Sequence, residues 1–258
     1  VSRFRDQQVL AVVVCSLLMA GCAGEASVAQ RTRFNEAEIA FQNADSEEQY
    51  LRVAGTYQQL RDEGLQSVAV LFNQGNAFAR AERHGHAIAC YRQALRLEPT
   101  NRAIRGNLEL AMNQTGAAEP PVDWFRRVMF WHGWLGYESR FYVATLLTVL
   151  TSLLLIVARR TRSWLASRVG LGLLFVSLAV VASAVYGWYR VEATQWGAVV
   201  ADGVVPRTGN GANYGPAFNQ PVPGGTEFFV SERRGDWLSI VIPGVGDGWV
   251  ESDEVVVY

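Results

Sequence analysis

The sequence predicts a multidomain chain: an all-α helical array, a two-helix transmembrane hairpin and a C-terminal all-β barrel. Three observations predict it. Two uncharged stretches, 141–158 and 169–189, lie back to back with only an arginine-rich loop between them. Residues 34–113 hold no proline except Pro99, and their apolar residues recur at helical spacing. After Arg190 the chain turns to short Val-, Phe- and Trp-rich runs punctuated by glycine and proline.

Residues 1–29 read as an export signal. Arg3 and Arg5 precede the apolar run Val9–Ala20, a charged region followed by a hydrophobic one of signal length. Two processing sites compete. Met19, Ala20, Gly21 and Cys22 resemble the lipobox of bacterial lipoproteins, with Cys22 as the candidate lipidation site. Ser27, Val28 and Ala29 instead offer small residues for ordinary cleavage after Ala29. Retention as an uncleaved anchor is the third alternative, and it leaves the topology unchanged.

Residues 34–113 form the predicted helical array. Leu71, Gln74, Gly75, Phe78, Ala87, Tyr91, Ala94 and Pro99 fall at the spacing of the 34-residue tetratricopeptide pattern, with the best repeat over 68–101. The spacing has a physical basis. Gly75 and Ala87 are small where two helices cross closely, Phe78 and Tyr91 fill the space between helices, and Pro99 ends the second helix. Glu82–Gly85 makes the turn. Gln74 departs from the expected Leu. Phe34–Ala44 and Glu47–Arg61 read as a degenerate upstream repeat, with Tyr57 at the spacing of Tyr91. Asn101–Met112 reads as a lone helix capping the open end. In such arrays the first helix of each repeat lines a groove for an extended peptide. That places Asn73, Asn76 and Arg80 on one face and Asn107 on the next helix as candidate peptide-groove residues. The competing reading is solvated positions without a ligand.

Residues 114–140 are linker and interfacial segment. Trp124, Phe125, Phe130, Trp131, Trp134, Tyr137 and Tyr142 crowd one end of the hairpin, and Tyr186, Trp188 and Tyr189 the other, as suits a headgroup layer. The stretches 141–158 and 169–189 approach the roughly 17–25 apolar residues a spanning helix needs. The loop 159–168 carries four arginines and no acid, which assigns it to the cytoplasm. Both soluble segments then face the periplasm or cell exterior from a bacterial inner membrane.

The last segment, 197–258, resembles a bacterial SH3-type domain. The resemblance rests on Pro206, Arg207, Gly209 and Tyr214, then Gly225, Gly235, Asp236 and Trp237, then Gly246, Gly248, Trp249 and Val250. It implies an SH3-like barrel with Trp249 inside and with Tyr214 and Trp237 partly at the surface, a candidate binding patch. Packing alone is an equal reading of those two rings. Pro206 makes one strand edge irregular.

Little of the chain points to catalysis. His86 and Cys90 lie four apart on one predicted helix, with His84 in the preceding turn, but a small buried cysteine beside a packing aromatic is the stronger reading. His132 stands apart. Neither a catalytic set, a metal set nor a cofactor motif is assigned, and the chain reads as a non-enzyme. A net charge of −1 argues against nucleic acid as a partner. Of the 3 cysteines, Cys15 and Cys22 belong to the signal, so Cys90 is alone in the mature segment.

Signal, helical array, hairpin and SH3-type domain in this order resemble the BatE-type proteins of bacterial aerotolerance (Bat) operons. The resemblance implies a membrane-bound scaffold whose partners are von Willebrand A-domain Bat proteins and a MoxR-type ATPase system. The alternative is an envelope protein whose SH3-type domain grips peptidoglycan while the array recruits a partner.

Overall fold

The computed structural model describes residues 27–121, 134, 137–189 and 194–258. The expectations for Cys22 and the rest of residues 1–26, and for Trp124, Phe125, Phe130, Trp131 and His132, fall outside the described residues. The chain divides into two compact units, one holding the apolar hairpin and the other holding the helical array together with the C-terminal sheet.

The array runs α1 (Val28–Asn43), α2 (Glu47–Asp62), α3 (Val68–Arg80), α4 (His84–Leu97) and α5 (Arg102–Thr115). Three of these helices begin where the sequence supplies an oxygen for the unpaired first-turn amides. Ser27 and Gln30 form a reciprocal capping box ahead of α1. Ser67 Oγ accepts from the Val70 amide at 3.3 Å, and Asn101 Oδ1 accepts from Ala103 and Ile104. Gly116, at φ 75°, adopts the left-handed turn that ends α5. The turn between α3 and α4 is tighter than predicted: Glu82 takes φ 59°, and His84 already opens α4.

Tyr57 and Tyr91 are the largest fully buried side chains of the array. Tyr57 packs edge-on against Phe34, their centroids 5.8 Å apart, which joins α1 to α2. Tyr91 lies flat on the backbone of α3: a Cβ at Gly75 would stand 2.6 Å from its Cε1. That is why position 75 is glycine. Gln74, the departure from the expected Leu, is buried and fully used. Its Oε1 accepts from Arg61 Nη1 at 2.9 Å and from the Cys90 thiol at 3.6 Å. Its Nε2 donates to Gln58 Oε1 at 3.0 Å and to the Ala54 carbonyl at 3.3 Å. Arg61 also reaches Gln93, so one polar network ties α2, α3 and α4 together.

The C-terminal segment forms β1 (Trp196–Val199), β2 (Glu227–Arg234), β3 (Trp237–Ile242), β4 (Gly246–Glu251) and β5 (Val255–Val257). They pair antiparallel in the order β4-β3-β2-β1-β5. Alternation sends Phe228, Leu238, Ile240, Ile242 and Val250 into one core. The sheet is open, with β4 and β5 at its edges, and this replaces the closed SH3-like barrel expected from sequence. β1 ends at Val199 because the chain turns at 201–203, where Gly203 takes φ 69°. Val204 and Arg207 instead make single bridges to Val222, Pro216 and Trp249. A second correction concerns Trp249. It lies opposite Ser239, on the face turned away from Val250, and is only half-buried, so it is not the interior residue expected.

All four residues of β1 are buried. A strand of an open sheet buried on both faces needs a cover, and α4 supplies it. A Cβ at Gly85 would meet the Val200 carbonyl oxygen at 2.7 Å, and one at Gly225 would meet Ile88 Cδ1 at 2.2 Å. Beside these backbone approaches, Arg92 lies 3.3 Å from Glu227 and 2.9 Å from Glu119. Arg96 stands 4.6 Å over the Tyr258 ring, and the Tyr258 hydroxyl donates to Glu227 at 3.1 Å.

The other unit is α6 (Tyr137–Thr161) and α7 (Trp164–Trp188). Both helices are long and apolar enough to cross a membrane. They extend past the predicted limits, so that Arg159, Arg160 and Arg168 lie within helices and only Arg162 and Ser163 make the turn. Small residues face inward: Ala144 and Ala158 on α6, and Gly170, Ser177 and Ala184 on α7. Thr148 and Ser177 share a hydrogen bond of 3.0 Å across the pair. Leu146, Leu150, Leu153, Phe175 and Leu178 are each more than half exposed on the outside.

Candidate functional site

Two surfaces carry the residues singled out from sequence, and both lie in the unit that holds the array and sheet. The first is the α3–α5 face. Asn73 is half-buried beside the Tyr57 hydroxyl, whose pKa is raised by burial and partly lowered again by Asn73. Arg80 is exposed in the last turn of α3. Asn76 and Asn107 come together across the two helices, but as packing elements. Asn76 Oδ1 accepts from the Tyr91 hydroxyl at 2.9 Å and from Asn107 Nδ2 at 2.8 Å. With both acceptor sites of that oxygen used, Asn76 fixes α5 against Tyr91 and has only its Nδ2 donor to offer a peptide carbonyl. What this face offers a ligand is Asn73, Arg80, the Asn76 amide N–H and the side-chain oxygen of Asn107, beside the exposed Ala103, Gly106 and Leu110 of α5.

The second surface is the outer face of the sheet around β3 and β4. Tyr214 is 51% exposed, and its ring rests on Gly209, where a Cβ would stand 2.6 Å from Cδ1. Trp237 opens β3 opposite Glu251, and Trp249 sits one step along β4, so the two indoles share one face of adjacent strands. Arg234 lies 5.2 Å over the Trp249 ring and is held by Glu232 through Nε–Oε1 at 2.6 Å. Arg207 exchanges both backbone hydrogen bonds with Trp249, at 2.7 and 2.8 Å. Trp249 and Arg234 are the residues that sequence reasoning missed here. The period-two alternation of β4 already contained the signal: Gly248 and Val250 cannot share a face with Trp249. Together these groups form an aromatic platform edged by guanidinium groups, suited to stacking and cation–π contact.

Cys90 faces neither surface. Burial pushes its thiol up to about 12, opposed in part by Arg61, so it is a protonated packing group at neutral pH. The thiol points to Gln74, and His86 stacks on Phe78 with centroids 4.9 Å apart. His86 is held below its ordinary value by burial and then by Arg83. The Cys/His pairing weighed from sequence is thus two separate packing contacts.

A family model for the tetratricopeptide repeat matches residues 68–101. No curated protein and no solved structure matches the chain. The chain therefore carries a tetratricopeptide repeat over α3 and α4, a non-catalytic motif by which scaffolds hold other proteins.

Proposed function

We propose that this chain is a membrane-anchored scaffold of the bacterial cell envelope, acting by holding proteins and not by turning over a substrate. The observation that carries the reading is the tetratricopeptide repeat at 68–101, with Asn73, Arg80 and Asn107 on its α3–α5 face. The anchor is the pair α6 and α7, and the arginines of 159–168 put their turn in the cytoplasm. Both soluble segments then face the periplasm or exterior. Confinement beside a membrane-bound partner raises effective concentration, so modest contacts suffice. The order of parts favours a Bat-type complex, with von Willebrand A-domain proteins and a MoxR-type ATPase system as partners.

The capping box of α1 bears on processing. Cleavage after Ala29 would remove Ser27, the oxygen that caps α1, whereas processing at Cys22 leaves it in place. We therefore favour lipidation of Cys22, which would tether α1 close to the bilayer. The experiment for the scaffold reading is co-purification from membranes: Asn73→Ala with Arg80→Ala should lose partners that Cys90→Ala retains. Loss with Cys90→Ala alone would overturn it. A second reading rests on the platform of exposed Tyr214 and half-buried Trp237 and Trp249, which suits the glycan and peptide chemistry of peptidoglycan. Retention of the protein on isolated cell wall, abolished by Trp237→Ala, would favour it.

A further inference from the structure

The contact between α4 and the C-terminal sheet joins parts of the chain that lie on either side of the hairpin in sequence. Its geometry is that of a built interface. Gly85 and Gly225 are both buried and let backbone approach backbone or side chain at distances no Cβ would allow. Ile88, fully buried, fills the notch over Gly225. Arg92 is 14% exposed and stands between Glu227, 10% exposed, and Glu119 of the segment after α5. Charges so shielded from water are costly unless they are paired. Arg92, Glu227 and Tyr258 answer one another across the interface, and Arg96 covers the Tyr258 ring.

We propose that the C-terminal sheet is the resident partner of the α4 face, so that residues 27–121 and 194–258 form one head on a single side of the membrane. Two consequences follow. The apolar helices α6 and α7 must cross as a pair, since a single crossing would part the two halves of the head. And an external partner is left with the α3–α5 face and the aromatic platform, because α4 is taken. The crossing consequence rests on the membrane reading above; the α4 interface does not.

The interface suggests its own test. Ile88 Cβ lies 3.2 Å from the position of a Cβ on Gly225, close to the roughly 3.5–4.5 Å of a disulfide. The full chain would carry Ile88→Cys and Gly225→Cys in a Cys90→Ala background, with a specific protease site inserted between Arg162 and Ser163. After oxidation and cleavage in membrane vesicles, the two fragments should run as one species without reductant and as two with it. Each single-cysteine variant should give two fragments throughout. Arg92→Cys with Glu227→Cys, joined by a short bis-maleimide, spares the left-handed Gly225 and serves if the first pair does not fold. Separate fragments from both pairs, or linkage only between two copies of the chain, would overturn the proposal. Vesicle orientation tests the membrane reading independently. Cleavage only in inverted vesicles agrees with it, and cleavage only from the outer side sinks that reading while the link itself stands.

Discussion

Among the glycines inside helices of the array, Gly55 and Gly106 on one side and Gly75 on the other should respond to alanine with opposite signs. At Gly55 in α2 and Gly106 in α5 a Cβ would meet nothing within 4 Å. Alanine there removes only the conformational penalty of glycine in a helix, a gain of about 0.8–1 kcal/mol. At Gly75 the same Cβ would stand 2.6 Å from Cε1 and 2.8 Å from Cδ1 of Tyr91, against an optimum near 3.5–4.0 Å. The ring is 1% exposed and its hydroxyl is tied to Asn76, so it has nowhere to retreat. Overpacking of this kind typically costs about 1–3 kcal/mol, enough to cancel or exceed the propensity gain. Gly75→Ala is therefore expected to destabilise by up to about 2 kcal/mol, and Gly75→Leu to unfold the repeat. Thermal unfolding of the purified chain in detergent reads this directly, since 1 kcal/mol moves Tm by roughly 2–4 °C at this size. Gly55→Ala and Gly106→Ala should raise Tm and Gly75→Ala should not. A rise with Gly75→Ala equal to that with Gly106→Ala would mean that Tyr91 does not rest on α3.

The pH profile of array stability should fall at both ends. Burial holds His86 below the ordinary imidazole value of 6.5, so the unfolded chain binds the proton first and stability declines as pH drops below that value. Cys90 is raised from 9.0 to about 12, so the unfolded chain loses its proton first and stability declines as pH rises through that window. Cys90→Ala should remove the part of the alkaline limb that begins near pH 9 and leave the part due to Tyr57 and Tyr91, whose hydroxyls burial also raises. Asn76→Ala should cost about 1–3 kcal/mol, because it strands the Tyr91 hydroxyl in a buried site, whereas the exposed Arg80→Ala should stay within about 0.5 kcal/mol of wild type. Gln74→Leu restores the expected apolar residue yet should destabilise, as Arg61 and the Ala54 carbonyl lose a partner; Arg61→Met added to it should recover part of the loss, measured by the same melts.

What could be read from sequence follows from how local each signal is. Gly75, Ala87 and Tyr91 fix the crossing of α3 and α4 through contacts within one 34-residue window, and the periodicity carries that information. The apolar stretches of the hairpin are legible for the same reason, although the flanking arginines could not reveal that they continue the helices. The role of the Asn76 oxygen was not legible because periodicity assigns a face, not a partner: that oxygen is filled by Tyr91 and by Asn107, a residue 31 positions away. Trp249 was misplaced because a tryptophan suggests interior, while the alternation with Gly248 and Val250, a stronger constraint, sends it outward. The missing barrel closure and the α4 interface depend on contacts between distant segments, and no local pattern in Gly85 or Gly225 announces them.

Those distant contacts also explain how so short an array can persist. A single repeat cannot bury its own faces, and about three are normally required; here one repeat matches the family model and the upstream pair is degenerate. The polar network of Arg61, Gln74 and Gln93 ties that degenerate pair to α4, at the position where an ordinary array would use leucine packing. At the other end, Glu109 falls 34 residues after Gly75, and a carboxylate in place of the glycine leaves no seat for a further helix, so α5 closes the stack. The remaining open surface, the outer side of α4, is buried by β1 and the turn before β2. The sheet thus supplies burial that additional repeats would otherwise give. Disrupting the sheet should therefore lower the stability of the repeat, even though no residue of 68–101 is changed.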